Sequence, residues 1–193
     1  MDKSVLNSSE LVLWQEFCQG NESSFEEIVR RYYPKLYRYG TRIWPDDMVV
    51  RDCLQDIFTD LWFRKEQLTE IASVNYYLIS AVRNRLYFEK RKLKQTVDIE
   101  DWSEAEVFVC EFSIEADLIL QEDQKQKTLR LNTLLNALSA RQKEVIHLRF
   151  FNELDHDQIA DLMGLNRQSV YNLLHETIRR LRNMWFILMV LNF

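Results

Sequence analysis

A concentration of base-reading side-chain types lies near the C-terminal end of the chain. Arginine, glutamine and asparagine can bond to base edges in the major groove of DNA, and serine, tyrosine and histidine can contact bases or phosphates. One predicted helix carries such side chains at seven positions: Arg167, Gln168, Ser169, Tyr171, Asn172, His175 and Arg179. We therefore predict a reader of duplex DNA here. The alternative is an ordinary helical hairpin with a solvated polar face.

The elements that must position these side chains are two helices joined by a tight turn, within residues 155–182. Asp155 can cap the first helix, and Gln158 three residues later completes a capping box. Gly164 suits the left-handed conformation in which helices end, and Asn166 can cap the second helix.

The spacing of small and apolar residues in this stretch indicates a helix-turn-helix. Ala160 offers a small side chain where two helices cross, and Gly164 follows at the turn. Val170 and Leu173 then place branched apolar side chains opposite the crossing. A close crossing of two helices requires this order of residue types.

The composition predicts an all-α protein. The chain has 193 residues, of which 47% are hydrophobic, three are glycine and two are proline. Few glycines and prolines favour long helices with few tight turns. The length allows one or two domains.

Charge is unevenly distributed along the chain. The net charge of −5 is unusual for a nucleic-acid binder. Residues 95–124 contain ten acidic residues and no lysine or arginine, and we interpret this stretch as a linker with short docked or helical pieces. A basic run precedes it, formed by Arg83, Arg85, Lys90, Arg91, Lys92 and Lys94.

Neither the cysteines nor the histidines predict an active site or a metal site. The three cysteines are widely spaced, and we expect Cys18 and Cys53 to be buried, reduced thiols. The three histidines lack convincing metal partners, and no glycine-rich phosphate loop or nucleophilic triad is identifiable. We expect no enzyme activity, no cofactor and no small-molecule substrate.

The two ends of the chain predict a cytoplasmic protein. Residues 1–10 are polar and do not resemble a signal peptide. The one strongly apolar run, Met184–Leu191, is too short to span a bilayer. It belongs to an apolar tail, residues 184–193, that either folds back on the preceding domain or docks a partner.

Three helices are predicted between residues 8 and 62. Ser8 or Ser9 can cap the first helix, Ser23 or Ser24 the second, and the Pro-Asp-Asp sequence at 45–47 begins the third. The tyrosine-rich face of the second helix predicts core packing. The third helix carries an apolar stripe and a polar face. The polar face, which is either solvated or a binding surface, is formed by Asp52, Gln55, Asp56 and Thr59.

A polar connection, residues 66–75, leads into a helix with a basic exposed side. Lysine and arginine pair with phosphates, and bases can stack on aromatic side chains or enter pockets, so this arrangement suits single-stranded nucleic acid. The alternative is a solvated basic helix end, favoured by the helix dipole. The candidate contacts are Asn75, Tyr76, Arg83, Asn84, Lys90 and Arg91.

Taken in this order, the motifs resemble those of bacterial RNA polymerase sigma factors of the extracytoplasmic-function (ECF) class of the sigma-70 family. The pattern D-x-x-Q-D-x-F-x-x-L-W at residues 52–62 resembles the family's most recognisable motif, and residues 77–84 resemble its next helix. The pattern L-S-x-R-Q-x-E-V at 138–145, whose serine opens a second capping box, and the helix-turn-helix resemble sigma domain 4.

The resemblance implies two small helical domains and a non-catalytic role. Residues 8–94 would be sigma domain 2, residues 95–123 the acidic linker and residues 124–183 sigma domain 4. The implied partners are core RNA polymerase, promoter DNA and an anti-sigma factor, either soluble or membrane-anchored.

The resemblance also assigns roles to the three candidate surfaces. The Asp52–Thr59 face would dock on the clamp helices of the largest polymerase subunit, and the 66–76 connection with the basic helix would hold the unpaired strand of the −10 element. The helix-turn-helix would read the −35 element. A free-standing helix-turn-helix regulator is the alternative, and the 52–62 motif argues against it.

Overall fold

The computed structural model describes residues 3–68, 71–97, 108 and 122–190. These residues form eight α-helices, one 3-10 turn and one π-helical turn, and no strand occurs among them. The prediction of an all-α protein is therefore confirmed. The chain divides into two compact units, residues 1–100 and residues 101–193.

The first unit contains four helices. They are α1 (Lys3–Cys18), α2 (Glu22–Ile43), α3 (Asp47–Phe63) and α4 (Val74–Val97), with a 3-10 turn at Lys65–Gln67 between α3 and α4. Helix α2 packs against α1, α3 and α4 and so forms the centre of the unit. Its core positions recur at helical spacing, and the fully buried ones include Ile28, Leu36, Tyr39 and Ile43.

The helix starts in this unit differ in part from the prediction. Helix α1 begins at Lys3, so Ser8 and Ser9 lie inside it rather than at its cap. Helix α2 is capped by Asn21, whose side chain accepts a bond from the Ser24 backbone N–H, so the prediction of a serine cap is wrong. Asparagine caps as well as serine, and here it stands earlier in the chain. Asp46 caps α3 as predicted.

A close approach of α2 and α3 occurs at Gly40. A Cβ atom added at this position would lie 2.8 Å from Cγ1 of Val50 and 3.4 Å from Cδ1 of Leu86. The first distance is shorter than real contacts allow, and the Val50 side chain is stiff because it branches at Cβ. Glycine at this position therefore sets how closely the two helices pack.

Replacing Gly40 by alanine is expected to destabilise the protein by about 1–2 kcal/mol, because overpacking outweighs the gain in helix propensity. In a Val50→Ala background, where the obstructing methyl group is gone, the same change is expected to be neutral or stabilising. Chemical denaturation of the four proteins measures both effects. An equal effect of Gly40→Ala in the two backgrounds would contradict the steric explanation.

The described part of the second unit, residues 108 and 122–190, contains four helices and a π-helical turn. The helices are α5 (Glu122–Asn136), α6 (Ala140–Ile146), α7 (His156–Met163) and α8 (Arg167–Val190), and the π-helical turn spans His147–Phe151. The turn sits between α6 and α7, where His147 Nδ1 lies 2.7 Å from Oδ1 of the fully buried Asn152. Phe108 packs its ring edge against His147 at 5.7 Å. The buried His147 side chain therefore has a structural role in this turn.

Local capping signals of this unit are confirmed. Ser139 with Gln142 and Asp155 with Gln158 both form reciprocal capping boxes. Gly164 ends α7 in the left-handed conformation, with φ of 62° and ψ of 38°. These signals act between residues that are near in sequence, so the sequence alone determines them.

The start of the apolar tail continues helix α8. The helix runs without a break to Val190, so the part of the tail within it does not turn back as a separate segment. Met184 and Trp185 are half-buried, whereas Phe186 is 70% exposed. The last three tail residues and most of the linker 95–123, with Cys110, lie outside the described residues. None of the helices described is long and apolar enough to cross a membrane.

Candidate nucleic-acid interface

The helix-turn-helix is built from α7, the turn at Gly164 and the first turns of α8. Oδ1 of Asn166 accepts a bond from the Ser169 backbone N–H at 2.7 Å, which caps α8 as predicted. Ala160 and Val170 are buried at the helix crossing. Arg167 at the start of α8 pairs with Asp157 of α7 at 3.3 Å, and both side chains remain mostly exposed.

The predicted reading residues share one exposed face of α8. Tyr171 stacks on His175 with ring centroids 6.3 Å apart, and the side-chain amide of Gln168 donates to Oδ1 of Asn172 at 3.0 Å. His156 of α7 also lies beside the Tyr171 ring, at 6.3 Å. The sequence did not predict that His156 belongs to this face, because His156 lies on α7, fifteen residues before Tyr171. All members of the predicted set are exposed except Ser169, which is half-buried: Arg167, Gln168, Ser169, Tyr171, Asn172, His175 and Arg179.

Arg180, the neighbour of Arg179, has a different environment. Its guanidinium donates to the side chain of Gln142 at 3.2 Å and to the backbone carbonyl of Ala137 at 3.3 Å. These bonds tie α8 to the end of α5 and to the capping box of α6. Both arginines are exposed, but the Arg180 guanidinium is held within this unit, whereas no described hydrogen bond or ion pair engages Arg179.

The polar face of α3 is exposed over its whole predicted extent. Asp52, Gln55, Asp56 and Thr59 are all exposed, while the opposite stripe of Leu54, Ile57, Phe58 and Leu61 is buried. A carboxylate oxygen of Asp56 accepts a bond from Arg85 of α4 at 2.6 Å. Both partners are about half exposed, so the pair contributes about 0–1 kcal/mol and leaves Asp56 accessible to another cation.

An apolar groove of about 620 Å³ adjoins this polar face, between α2 and α3. Gln55 and Thr59 form its polar edge, and Arg51 stands at one end. The expectation of core packing for the tyrosine-rich face holds for Tyr32, which is buried, but Tyr37 is half-buried and Tyr33 lines the groove. The remaining lining side chains are Phe25, Val29, Phe58 and Trp62. Periodicity marked these residues as apolar, but it could not distinguish a groove from a core.

The first half of α4 presents the predicted single-strand contacts. The Ser73 hydroxyl accepts a bond from the Tyr76 backbone N–H at 3.2 Å, which fixes the start of the helix. Asn84 and Arg91 are exposed, and Asn75 and Tyr76 are half-buried. The guanidinium of Arg83 lies over the Tyr87 ring, 4.1 Å from its centroid.

Lys90 differs from the prediction of an exposed basic residue. Its side chain is only 9% exposed, and its ammonium lies 5.8 Å from the centroid of the Trp44 ring. Burial lowers the pKa of Lys90 to about 8, because removal from water disfavours the charged form. The pattern of basic residues along α4 did not indicate that Lys90, among them, is buried near Trp44.

Known proteins resemble this chain both in its helix-turn-helix region and over most of its length. The family described as sigma-70, region 4, matches residues 128–181, which include the helix-turn-helix and both capping boxes. An RNA polymerase sigma-E factor of Streptomyces antibioticus is 27% identical over 170 residues, which are 86% of this chain and 86% of that protein. An ECF RNA polymerase sigma factor, RpoE of Cereibacter sphaeroides, is 24% identical over 84% of this chain and 86% of its own.

The chain is therefore similar to ECF sigma factors of the sigma-70 family over most of its length. Solved structures agree with the fold of this chain. The structure of CnrH in complex with the cytosolic domain of CnrY covers 92% of the chain with a TM-score of 0.56 and 16% identity. The sigma factor RpoE in complex with the anti-sigma factor NepR, from Bartonella quintana, covers 84% with a TM-score of 0.58 and 19% identity.

The buried Lys90 gives a pH-dependent prediction. The folded chain releases the Lys90 proton near pH 8, and the unfolded chain holds it to about 10.5. Between these values the unfolded state binds more protons, so the free energy of unfolding rises with pH. We expect this contribution to be on the order of 1–3 kcal/mol and to be absent from a Lys90→Met variant.

Chemical denaturation of both proteins between pH 7 and pH 10 measures the difference. The exposed Lys92, changed to methionine in the same helix, is the matched control. Equal pH profiles for the wild type and Lys90→Met would contradict burial of Lys90.

Proposed function

We propose that this chain is a sigma factor that binds core RNA polymerase and directs promoter-specific initiation of transcription. Its first unit would dock on polymerase and hold the unpaired −10 strand, and its second unit would read the −35 element. We assign it no catalytic residue, metal or cofactor, and we place its action in the cytoplasm, where polymerase and promoter DNA are found.

One observation carries this proposal. The similarity to proteins named RNA polymerase sigma factors extends over 86% of the chain, and so includes the first unit as well as the helix-turn-helix. A free-standing helix-turn-helix regulator would need only the second unit to resemble them. In a sigma factor the exposed α3 face of the first unit would bind polymerase, whereas such a regulator would not need this surface.

The −35 role rests on the exposed face of α8. A recognition helix enters the major groove with its N-terminal residues at base edges. Arg167, Gln168 and Tyr171 lie in the first two turns of α8, where that geometry needs them. Asn172 lies in the same two turns and His175 one turn after Tyr171, with Ser169 at the edge of the face. Arg179 lies one further turn on, and we assign it to a phosphate.

The polymerase-binding role rests on the α3 face and the adjacent groove. Interfaces combine an apolar centre with polar residues around it. Phe25, Tyr33 and Trp62 would supply the apolar contact, and Gln55 with Thr59 would supply the polar edge. The negative charges of Asp52 and Asp56 would favour a basic partner surface on the clamp helices.

The −10 role rests on the start and the exposed side of α4. Asn75 and Tyr76 stand where the 66–76 connection enters the helix, and Asn84 and Arg91 follow on its exposed side. Arg83, whose guanidinium lies over the Tyr87 ring, would present N–H groups to the phosphates. Lys90 remains in the assigned set, but as a buried cation near the strand rather than as a direct phosphate contact.

An anti-sigma factor is the proposed regulatory partner. Two proteins of similar fold were solved in complexes named for the cytosolic domain of CnrY and for the anti-sigma factor NepR. By analogy, the partner of this chain would be a soluble anti-sigma factor or the cytosolic part of a membrane-anchored one. It would compete with polymerase for the α3 face.

DNA binding with and without core polymerase distinguishes a sigma factor from a free-standing regulator. We expect the chain alone to bind promoter duplex weakly, because its net charge of −5 opposes a polyanion. Together with core polymerase it is expected to bind the same duplex tightly and to open it around −10. Tight, sequence-specific duplex binding by the chain alone, unchanged by polymerase, would favour the regulator.

A further inference from the structure

A buried tryptophan of α1 contacts the start of the 66–76 connection. The side chain of Trp14 is 1% exposed, and its indole Nε1 donates a hydrogen bond to the backbone carbonyl of Leu68 at 3.0 Å. The thiol of Cys18, one helical turn later, donates to the same carbonyl at 3.2 Å. Leu68 directly follows the 3-10 turn Lys65–Gln67. Two donors of α1 therefore hold one backbone oxygen in place.

The same tryptophan also contacts the chain just after this connection. Its ring lies edge-on against the ring of Tyr77, with centroids 5.4 Å apart and planes at 63°. Tyr77 belongs to the first turn of α4 and directly follows Asn75 and Tyr76, two of the candidate single-strand contacts. Trp14 thus touches Leu68, near the start of the 66–76 connection, and Tyr77, which directly follows it.

The two hydrogen bonds give the Leu68 carbonyl donors that its own 3-10 turn does not supply. Carbonyl groups at the end of a helical turn have no partner within the turn and need a donor from elsewhere. Burial raises the pKa of the Cys18 thiol, which keeps it protonated and able to donate. The bonds cross 54 and 50 residues of sequence, so they fix the position of Leu68 relative to α1 and not merely the local turn.

We propose that Trp14 and Cys18 are positioning residues for the reader of the unpaired −10 strand, acting through the Leu68 carbonyl and the start of α4. This inference rests on the proposed function. Neither residue touches DNA in this role. They hold Leu68 and the Asn75–Tyr77 turn at a fixed separation, so that bases meet a preformed surface rather than one that must be ordered on binding.

A simple core role and a positioning role make different demands on Trp14. Core packing requires only a large apolar ring, which phenylalanine also supplies. Holding the Leu68 carbonyl requires the indole N–H, which phenylalanine lacks. For Cys18 the distinction is sharper, because serine keeps a donor at this position and alanine removes it. The variants Trp14→Phe, Cys18→Ala and Cys18→Ser therefore separate the hydrogen bonds from packing.

The test measures binding of a labelled single-stranded oligonucleotide by the holoenzyme, reconstituted from the full chain and core polymerase. One oligonucleotide carries the non-template −10 sequence of a promoter that this holoenzyme uses. Each member of a second set carries a changed base at one −10 position. We expect Trp14→Phe and Cys18→Ala each to lower affinity and base discrimination roughly two- to tenfold, the effect of losing one hydrogen bond. Cys18→Ser, which keeps a hydrogen-bond donor, is expected to discriminate between bases as well as the wild type does.

A core variant of the same unit serves as the control. Ile28→Val truncates a side chain that is 1% exposed in α2, and it is expected to lower thermal stability without changing base discrimination. If Trp14→Phe with Cys18→Ala changes discrimination no more than Ile28→Val does, the positioning role is wrong. If the wild-type holoenzyme itself shows no preference for the −10 strand, the proposed function fails instead, so the two failures are distinguishable.

Discussion

Alanine at both Gln55 and Asp56 is expected to weaken binding of the chain to core RNA polymerase by about 30- to 100-fold. Both side chains are exposed on α3, and neither belongs to the buried stripe of that helix. A hydrogen bond from a charged partner to Asp56 contributes about 1.5–3 kcal/mol and a neutral one at Gln55 about 0.5–1.5 kcal/mol. Near the lower ends of these ranges the two losses sum to about 2–2.7 kcal/mol, which is about 30- to 100-fold. Equilibrium binding of labelled chain to core polymerase measures it.

The same substitutions are expected to leave the fold intact. The only described ion pair that they remove is the half-exposed one between Asp56 and Arg85, which contributes about 0–1 kcal/mol. A melting curve within a few degrees of wild type would show that lost affinity is not lost folding.

A charge-matched control is available on the same helix. Asp47 is also an exposed acidic residue of α3, but five residues at 3.6 per turn rotate it by about 140° from Asp52. Asp47→Ala is expected to leave polymerase affinity nearly unchanged. Wild-type affinity of the Gln55→Ala, Asp56→Ala variant would show that the interface is assigned to the wrong face.

Alanine at Arg167 is expected to change which −35 sequence the holoenzyme prefers. Arg167 stands at the start of α8, where a recognition helix meets base edges, and its pairing with Asp157 at 3.3 Å is exposed and weak enough to be exchanged for a base. Loss of a bidentate arginine contact removes about 1–3 kcal/mol of discrimination at one base pair. Selection from a randomised −35 library measures the change as altered preference at one position.

Arg179→Ala provides the matched control for this experiment. Arg179 is an exposed arginine of the same helix, twelve residues further on, and is assigned to a phosphate. Its loss is expected to weaken binding of all −35 sequences equally and to reduce the salt dependence of binding. A uniform loss for Arg167→Ala as well would show that Arg167 contacts a phosphate and does not read a base.

The parts of the fold that the sequence predicted are those that depend on near neighbours. The capping boxes at Ser139 and Asp155, the left-handed Gly164 and the cap at Asn166 each involve residues within four positions of one another. The buried stripe of α3 also follows from helical periodicity alone. The cap of α2 was predicted at Ser23 or Ser24 but is Asn21, because serine and asparagine have similar capping preferences.

The features that the sequence did not predict depend on contacts between distant residues. The Asp56–Arg85 pair joins residues 29 apart, and the Trp14 bond to Leu68 joins residues 54 apart. The burial of Lys90 depends on how α4 lies against α2, which hydrophobic periodicity along one helix does not specify. The groove beside Gln55 likewise arises from the packing of two helices. For the candidate site, residue types were therefore predictable, but their partners were not.

Transcription from a promoter library by core polymerase, with and without this chain, tests the central claim most directly. With the chain, sequenced transcripts are predicted to start downstream of one shared pair of −10 and −35 elements. Changing the spacing between those elements is predicted to abolish initiation, because two readers on one chain need a fixed separation. Transcripts that are the same with and without the chain, in the absence of any inhibitor, would contradict the assignment as a sigma factor.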